Sequence, residues 1–276
     1  MRQLTEQEIS DFQTDGVAFL PAAVESHWVE RLLHLVDETL TAPGEWANDG
    51  NPGAERNRMF TQRYMWQHNA TIRDYIFQSG CAGLAGQAMG SETVRFYFDH
   101  LLVKEPETTA ATPWHQDIPY WPFKGYQVCS IWLALTETTV AESAMEFIRG
   151  SHLDGNYYRP EVFNAREDHP NAWAEEAQGT PVPDIEANRD AFDILGYDVQ
   201  PGDAVIFSAW TLHGAPGNGS SSRRRAALST RWLGDDAVWW PHAGTDPIVS
   251  EEHVSLKPGD YPGDDTVFPV IWRQDL

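Results

Sequence analysis

Between Glu92 and Leu233 the chain is divided into short runs that favour extended backbone, and this limits its fold more than any other feature. Val94-Arg95-Phe96-Tyr97-Phe98 with Leu101-Leu102-Val103, then Val128 to Leu135, Met145 to Ile148, Ala204 to Phe207 and Ala226 to Leu233 are rich in β-branched, aromatic and aliphatic residues. The segment ahead of them has a helical pattern. Thr5-Glu6-Gln7-Glu8 reads as a capping box opening a short helix, which Gly16 ends before a strand at Val17 to Leu20. Val29, Leu32, Leu33 and Val36 predict a helix from Ser26 to Thr41. Residues 42–58 read as loop, and 70–89 as two further helical pieces. Helices followed by many short strands point to a mainly β fold with flanking α-helices, an antiparallel sandwich or jelly roll. One domain over 1–276 fits this length, with a helical layer mostly within 1–90 and a β core over about 92–233. The polar, acidic stretch 152–192 is too long for a turn and reads as a lid-like excursion. The tail, with Pro241, Pro247, Pro258, Pro262 and Pro269, reads as irregular.

Composition removes several classes of function. A formal net charge of -22, with Lys104, Lys124 and Lys257 as the only lysines, repels phosphate backbones and anionic membranes, so neither is an expected partner. Cys81 and Cys129 cannot build a disulfide framework, and a cytoplasmic setting is expected. There is no apolar run of about 18 residues that would cross a membrane. The expected partner is a small molecule.

Within this frame, His115-Gln116-Asp117 carries the chemistry. In a strand, residues two apart point to the same side. A second imidazole, His213, follows a strand-like run, and Arg224 comes shortly after it. Two imidazoles and one carboxylate on one face of a metal leave positions open for a substrate and O2, the facial arrangement of non-haem Fe(II) oxygenases. Zinc accepts the same donors, so a hydrolytic zinc site is a competing expectation.

The motifs are linked in order. Thr112-Pro113-Trp114-His115-Gln116-Asp117, Gly150-Ser151-His152, Gly202-Asp203, His213-Gly214 and Arg224-Arg225-Ala226 together resemble the phytanoyl-CoA dioxygenase family over roughly residues 4–233. The resemblance implies a double-stranded β-helix (jelly roll, cupin-like) that uses Fe(II), 2-oxoglutarate and O2. It makes His115, Asp117 and His213 the metal ligands and catalytic set. It gives Arg224 the distal carboxylate of 2-oxoglutarate, for which a guanidinium fork is suited, and places Trp132 along that co-substrate. Arg223 and Arg225, adjacent in a strand, are then expected to be surface charge, and Arg231 lies on the face opposite Arg224. Family-like halogenases replace the Asp117 carboxylate with a small residue. Keeping it favours hydroxylation, with release of succinate and CO2. The chain departs from the family at Ala215, where Ser is common, at Arg149, where Pro is common, and in carrying Glu146. A non-catalytic metabolite-binding or sensing member of the fold is the alternative.

The primary substrate is expected to be a small polar metabolite: an amino acid derivative, an amine, or a small acid such as an organophosphonate. A CoA thioester fits poorly, because its phosphates find few clustered bases here. Trp121, His100, Arg58 and Arg63 are the residues expected near it.

Overall fold

The computed structural model describes residues 2–160, 177–246 and 248–274. Four α-helices lie in the N-terminal part, interleaved with three strands: α1 (Glu6–Asp15), α2 (Ser26–Thr41), α3 (Ala70–Gln78) and α4 (Cys81–Met89). The strands are β1 (Val17–Leu20), β2 (Ala47–Asp49), β3 (Met59–Arg63), β4 (Thr93–Lys104), β5 (Thr112–His115), β6 (Phe123–Lys124), β7 (Val128–Ala134), β8 (Glu146–Ile148), β9 (Ile194–Gly196), β10 (Ala204–Ser208), β11 (His213–Ala215), β12 (Arg225–Leu233), β13 (Val238–Trp239) and β14 (Val270–Arg273). β1-β10-β7-β12-β4-β3-β2 form the larger sheet, with β14 added on β4, and β5-β11-β8-β9 form the smaller one. All pairings between these strands are antiparallel. This is the jelly-roll architecture expected from the sequence.

The helices cover the outer face of the larger sheet. α1 starts with a complete capping box: Thr5 accepts from the Glu8 amide and Glu8 accepts from the Thr5 amide. Such a cap contributes about 1 kcal/mol. The chain then reverses at Gly16, whose φ of 81° suits glycine. A Cβ there would also meet His152 Nδ1 and Thr211 Oγ1 at 2.5 Å. α2 buries Trp28, Val29, Leu32, Leu35 and Val36 in the core shared with Ala226, Leu228 and Trp232 of β12.

Alternate residues of β12 therefore face the helices, and the intervening ones face the inside of the jelly roll. Every residue from Arg225 to Leu233 is buried. Trp132, Ala134, Val205, Phe207 and Ala227 form an interior cluster with Phe147. That double burial places charged side chains of β12 inside the protein.

Two expectations for the irregular regions change. β2 lies within 42–58 and pairs with β3. β14 lies in the proline-rich tail and pairs with β4. Neither strand is long or strongly alternating, so the neighbouring strand's free hydrogen-bonding edge decides its conformation. Of the 152–192 excursion, residues 161–176 lie outside the described residues. Its later part docks on the smaller sheet: Trp114 Nε1 donates to Glu186 Oε1 at 2.6 Å, and Arg189 pairs with Glu146. No described helix is long and apolar enough to cross a membrane.

Candidate metal centre and active-site interior

The smaller sheet brings the two imidazoles together. His213 on β11 pairs in register with His115 at the end of β5, and their ring centroids lie 4.2 Å apart. Asp117 is not in the strand. It sits in helical conformation (φ -75°, ψ -40°) at the start of a 3-10 turn, Ile118–Tyr120, and its amide donates to Ala209 O at 3.0 Å. The turn, not strand alternation, swings the carboxylate beside the imidazoles. Gln116 pins that turn from behind, donating to Trp210 O and Asn156 O and accepting from the Tyr158 amide.

One possible ligand atom from each of His115, Asp117 and His213 lies within 4.8 Å of the others, and all three residues are buried. Asp117 Oδ1 stands 3.6 Å from His115 Nε2 and 3.8 Å from His213 Nε2. Each imidazole is oriented through its other nitrogen. His115 Nδ1 lies 2.8 Å from Pro113 O, and His213 Nδ1 lies 2.9 Å from Thr211 O. A carbonyl only accepts, so Nδ1 carries the proton and Nε2 presents its lone pair to the centre. Burial and the adjacent His115 lower the His213 pKa to about 3, so it stays neutral and ready to ligate. Burial alone would raise the pKa of Asp117. Arg231 and the two imidazoles overcome this and hold its carboxyl well below the ordinary range. Ser130 donates to its other oxygen, Oδ2, at 2.7 Å. Two oriented imidazoles and an ionised carboxylate fit a divalent iron.

The other expected site residues separate into two groups. Trp132 is interior, beside the ligands' side of β7, and His100 lies on the interior face of β4 opposite Ser229. Trp121 is buried in an aromatic cluster with Tyr97 and Phe98. Arg58 is removed from the site: it makes a two-pronged ion pair with Asp49 and donates to Leu40 O, an anchor for the β2–β3 hairpin. Arg63 pairs with Asp246 at the rim of the larger sheet.

Arg224 also departs from expectation. It precedes β12 and turns outward, pairing with Glu105 and with Asp37 of α2. Arg225, expected at the surface, is 3% exposed, lies 5.2 Å from the Trp132 ring centroid and leaves Nη1 buried without a partner. Arg231 likewise points inward. The alternation rule assigns 225 and 231 one side and 224 the other, as seen. What sequence did not reveal is that the inward side is the one carrying Arg, Ser and Arg.

Lys104, beside Arg225 in the β4–β12 register, is 1% exposed and donates to Pro216 O at 2.6 Å. Burial, and then the Arg225 charge, lower its pKa to about 6. Between that value and its ordinary 10.5 the unfolded chain holds a proton that the folded protein lacks. Stability of the metal-free protein therefore rises with pH across this window, by up to roughly 1.4 kcal/mol per pH unit from this group. Urea denaturation from pH 7 to 9 should show a shallower rise in Lys104→Met. Parallel curves for the two proteins would refute a neutral Lys104.

Known proteins share this fold. The chain is 24% identical over 231 residues to a methylphosphonate hydroxylase from Gimesia maris, covering 82% of this chain and 80% of that protein. The α-ketoglutarate dependent carbocyclase SnoK from nogalamycin biosynthesis superposes with a TM-score of 0.72 at 24% identity, over 98% of this chain and 97% of that one. The epimerase SnoN, solved with Fe3+, α-ketoglutarate and nogalamycin RO, gives 0.70 at 22% identity over 97% and 98%. A model of the phytanoyl-CoA dioxygenase family matches residues 12–226. The chain belongs to the phytanoyl-CoA dioxygenase family, and it is a 2-oxoglutarate-dependent non-haem iron oxygenase.

Proposed function

We propose that this enzyme hydroxylates an unactivated C–H bond of a small polar metabolite, consuming 2-oxoglutarate and O2 and releasing succinate and CO2. The observation that carries the reading is the buried, oriented set His115, Asp117 and His213, with its carboxylate retained, inside an interior that also holds an unanswered guanidinium at Arg225. Iron and 2-oxoglutarate, when bound, supply the oxidising power that removes a hydrogen from carbon. The protein supplies orientation and exclusion of water.

His115 and His213 would hold the metal through Nε2, and Asp117 through Oδ1, while Ser130 keeps Asp117 from rotating. Arg225 would hold the distal carboxylate of 2-oxoglutarate, taking the role that the sequence assigned to Arg224. Its neighbour Trp132 closes that end with an apolar wall. A free buried guanidinium atom facing an apolar ring is an arrangement that a carboxylate completes. Oxygen insertion into a small acid is also the reaction named for the Gimesia maris relative. The fold alone leaves the fate of the substrate open, since neighbours with it are named carbocyclase and epimerase.

The test is succinate formation by purified protein loaded anaerobically with Fe(II), then given 2-oxoglutarate, O2 and a library of small acids, amines and amino acid derivatives. The expected result is Fe(II)- and 2-oxoglutarate-dependent succinate, with one compound gaining 16 mass units. A compound that instead loses two hydrogens, closes a ring or inverts a centre would replace the hydroxylase assignment.

A further inference from the structure

We infer that the primary substrate is a small organic anion, docked by its charged group on Arg231 with His100 as a second polar contact. The inference rests on the oxygenase reading above and narrows its substrate class.

Arg231 is 6% exposed, and its Nε and Nη1 are buried without a hydrogen-bond partner. The same is true of His100 Nε2 and Ser229 Oγ. These side chains are neighbours: His100 pairs with Ser229 across β4 and β12, and Arg231 is two residues further along the same face of β12. Arg231 also pairs in register with Ser130, the residue that donates to Asp117. The unanswered donors thus adjoin the ligand carboxylate. The guanidinium carbon lies 5.1 Å from the Phe98 ring centroid and 5.7 Å from that of Trp121, so aromatic faces hold the cation in place without satisfying its N–H groups.

A buried guanidinium is costly unless it is paired. The two carboxylates whose charge acts on Arg231, Asp117 and Asp99, are committed elsewhere. Asp117 accepts from Ser130 and faces the two imidazoles. Asp99 accepts from the amides of Met65 and Trp66. Both attract Arg231 electrostatically, but neither forms an ion pair with it among the described residues. The buried arginines outside β12 are answered: Arg58 by Asp49 and Arg95 by Asp265.

Arg225 and Arg231 are the two inward guanidinium groups of β12, and a single co-substrate does not satisfy both. They are six positions apart, roughly 20 Å along a strand at about 3.3 Å per residue. A five-carbon diacid bound at Arg225 and the metal leaves Arg231 unanswered. A second anion completes it, beside the carboxylate ligand. An ammonium group at the same place would meet a buried cation, so an amine is disfavoured. Substrates of the acid class, phosphonate or carboxylate, fit.

The test uses the Fe(II)-loaded protein, saturated with 2-oxoglutarate under anaerobic conditions. Calorimetric titration with methylphosphonate, propanoate and butanoate is set against propylammonium and propanol. At least one anion should bind about tenfold more tightly than propylammonium. Arg231→Gln should weaken that anion by about tenfold or more, Arg231→Lys by less, and His100→Ala by about threefold. The 2-oxoglutarate-dependent absorption of the Fe(II) protein should persist in all three variants. If Arg231→Gln fails to fold, Arg231→Lys and His100→Ala carry the comparison. The inference falls if propylammonium binds as well as the anions, if no anion binds, or if the folded variants keep wild-type affinity. Loss of the absorption band from the wild type itself would instead overturn the oxygenase reading.

Discussion

Arg225→Gln should weaken 2-oxoglutarate binding by roughly 30-fold to several thousand-fold, whereas Arg224→Gln should change it by less than about fivefold. The first range follows from losing one partner of a buried, hydrogen-bonded charge pair, about 2–5 kcal/mol, at about 1.4 kcal/mol per tenfold. Arg225 is 3% exposed, and its Nη1 is without a partner. Its Nε donates only to Ser143 O, at 3.3 Å. Arg224, by contrast, is satisfied twice, by Glu105 and by Asp37, with a third of its side chain exposed. The pair with exposed Asp37 contributes about 0–1 kcal/mol, and with Nε and Nη2 on buried Glu105 and Nη1 on Asp37 no guanidinium nitrogen of Arg224 is left for a co-substrate. Anaerobic titration of the Fe(II) protein with 2-oxoglutarate, followed by its charge-transfer absorption, measures both constants. Thermal unfolding of each variant separates lost binding from lost folding. The reverse order of effects, with Arg224→Gln the more damaging, would return the role to Arg224.

Arg224 and Arg225 mark where sequence was sufficient and where it was not. The helix at Ser26–Thr41 was legible because its apolar residues recur at helical spacing and bury one face. The strands from β4 to β12 were legible from their composition. Register and facing were harder. In an ordinary half-exposed strand, the face carrying Arg225, Ser229 and Arg231 would be the solvent face. Here helices cover the apolar face and the jelly roll encloses the polar one, so the polar set lines the interior. A pattern of alternating Ala/Leu/Trp and Arg/Ser cannot by itself distinguish these cases. A strand whose two faces differ in polarity, yet which pairs centrally between β7 and β4, is the signal that would separate them. The cluster of His115, Asp117 and His213 was legible for a different reason. Their chemistry is rare and their order is linked, so the triad was identifiable even though Asp117 lies in a turn and not, as expected, in a strand. Ser130, Gln116 and Lys104 went unmarked because each looks like an ordinary strand or loop residue until its partner is known.

Asp117→Ala should abolish turnover and weaken iron binding by well over about 100-fold, the upper end of what loss of a mere outer-shell partner costs. The carboxylate has three tasks at one point. It offers an oxygen between two imidazole nitrogens 3.6 and 3.8 Å away. It is the acceptor for Ser130. Its charge also acts on Arg231, which in turn helps to keep it ionised. Removing it leaves two imidazoles to face a divalent cation close to an uncompensated guanidinium. Asp117→Asn keeps the shape and an acceptor for Ser130 but not the charge, so it should retain the fold while losing most of the metal affinity. The pair of variants therefore separates charge from packing. Iron content after anaerobic loading and desalting, read with the thermal unfolding temperature, gives the answer without relying on turnover. Full iron occupancy in Asp117→Ala, with the fold intact, would mean that the carboxylate is not a ligand and that the metal is held by some other group beside His115 and His213.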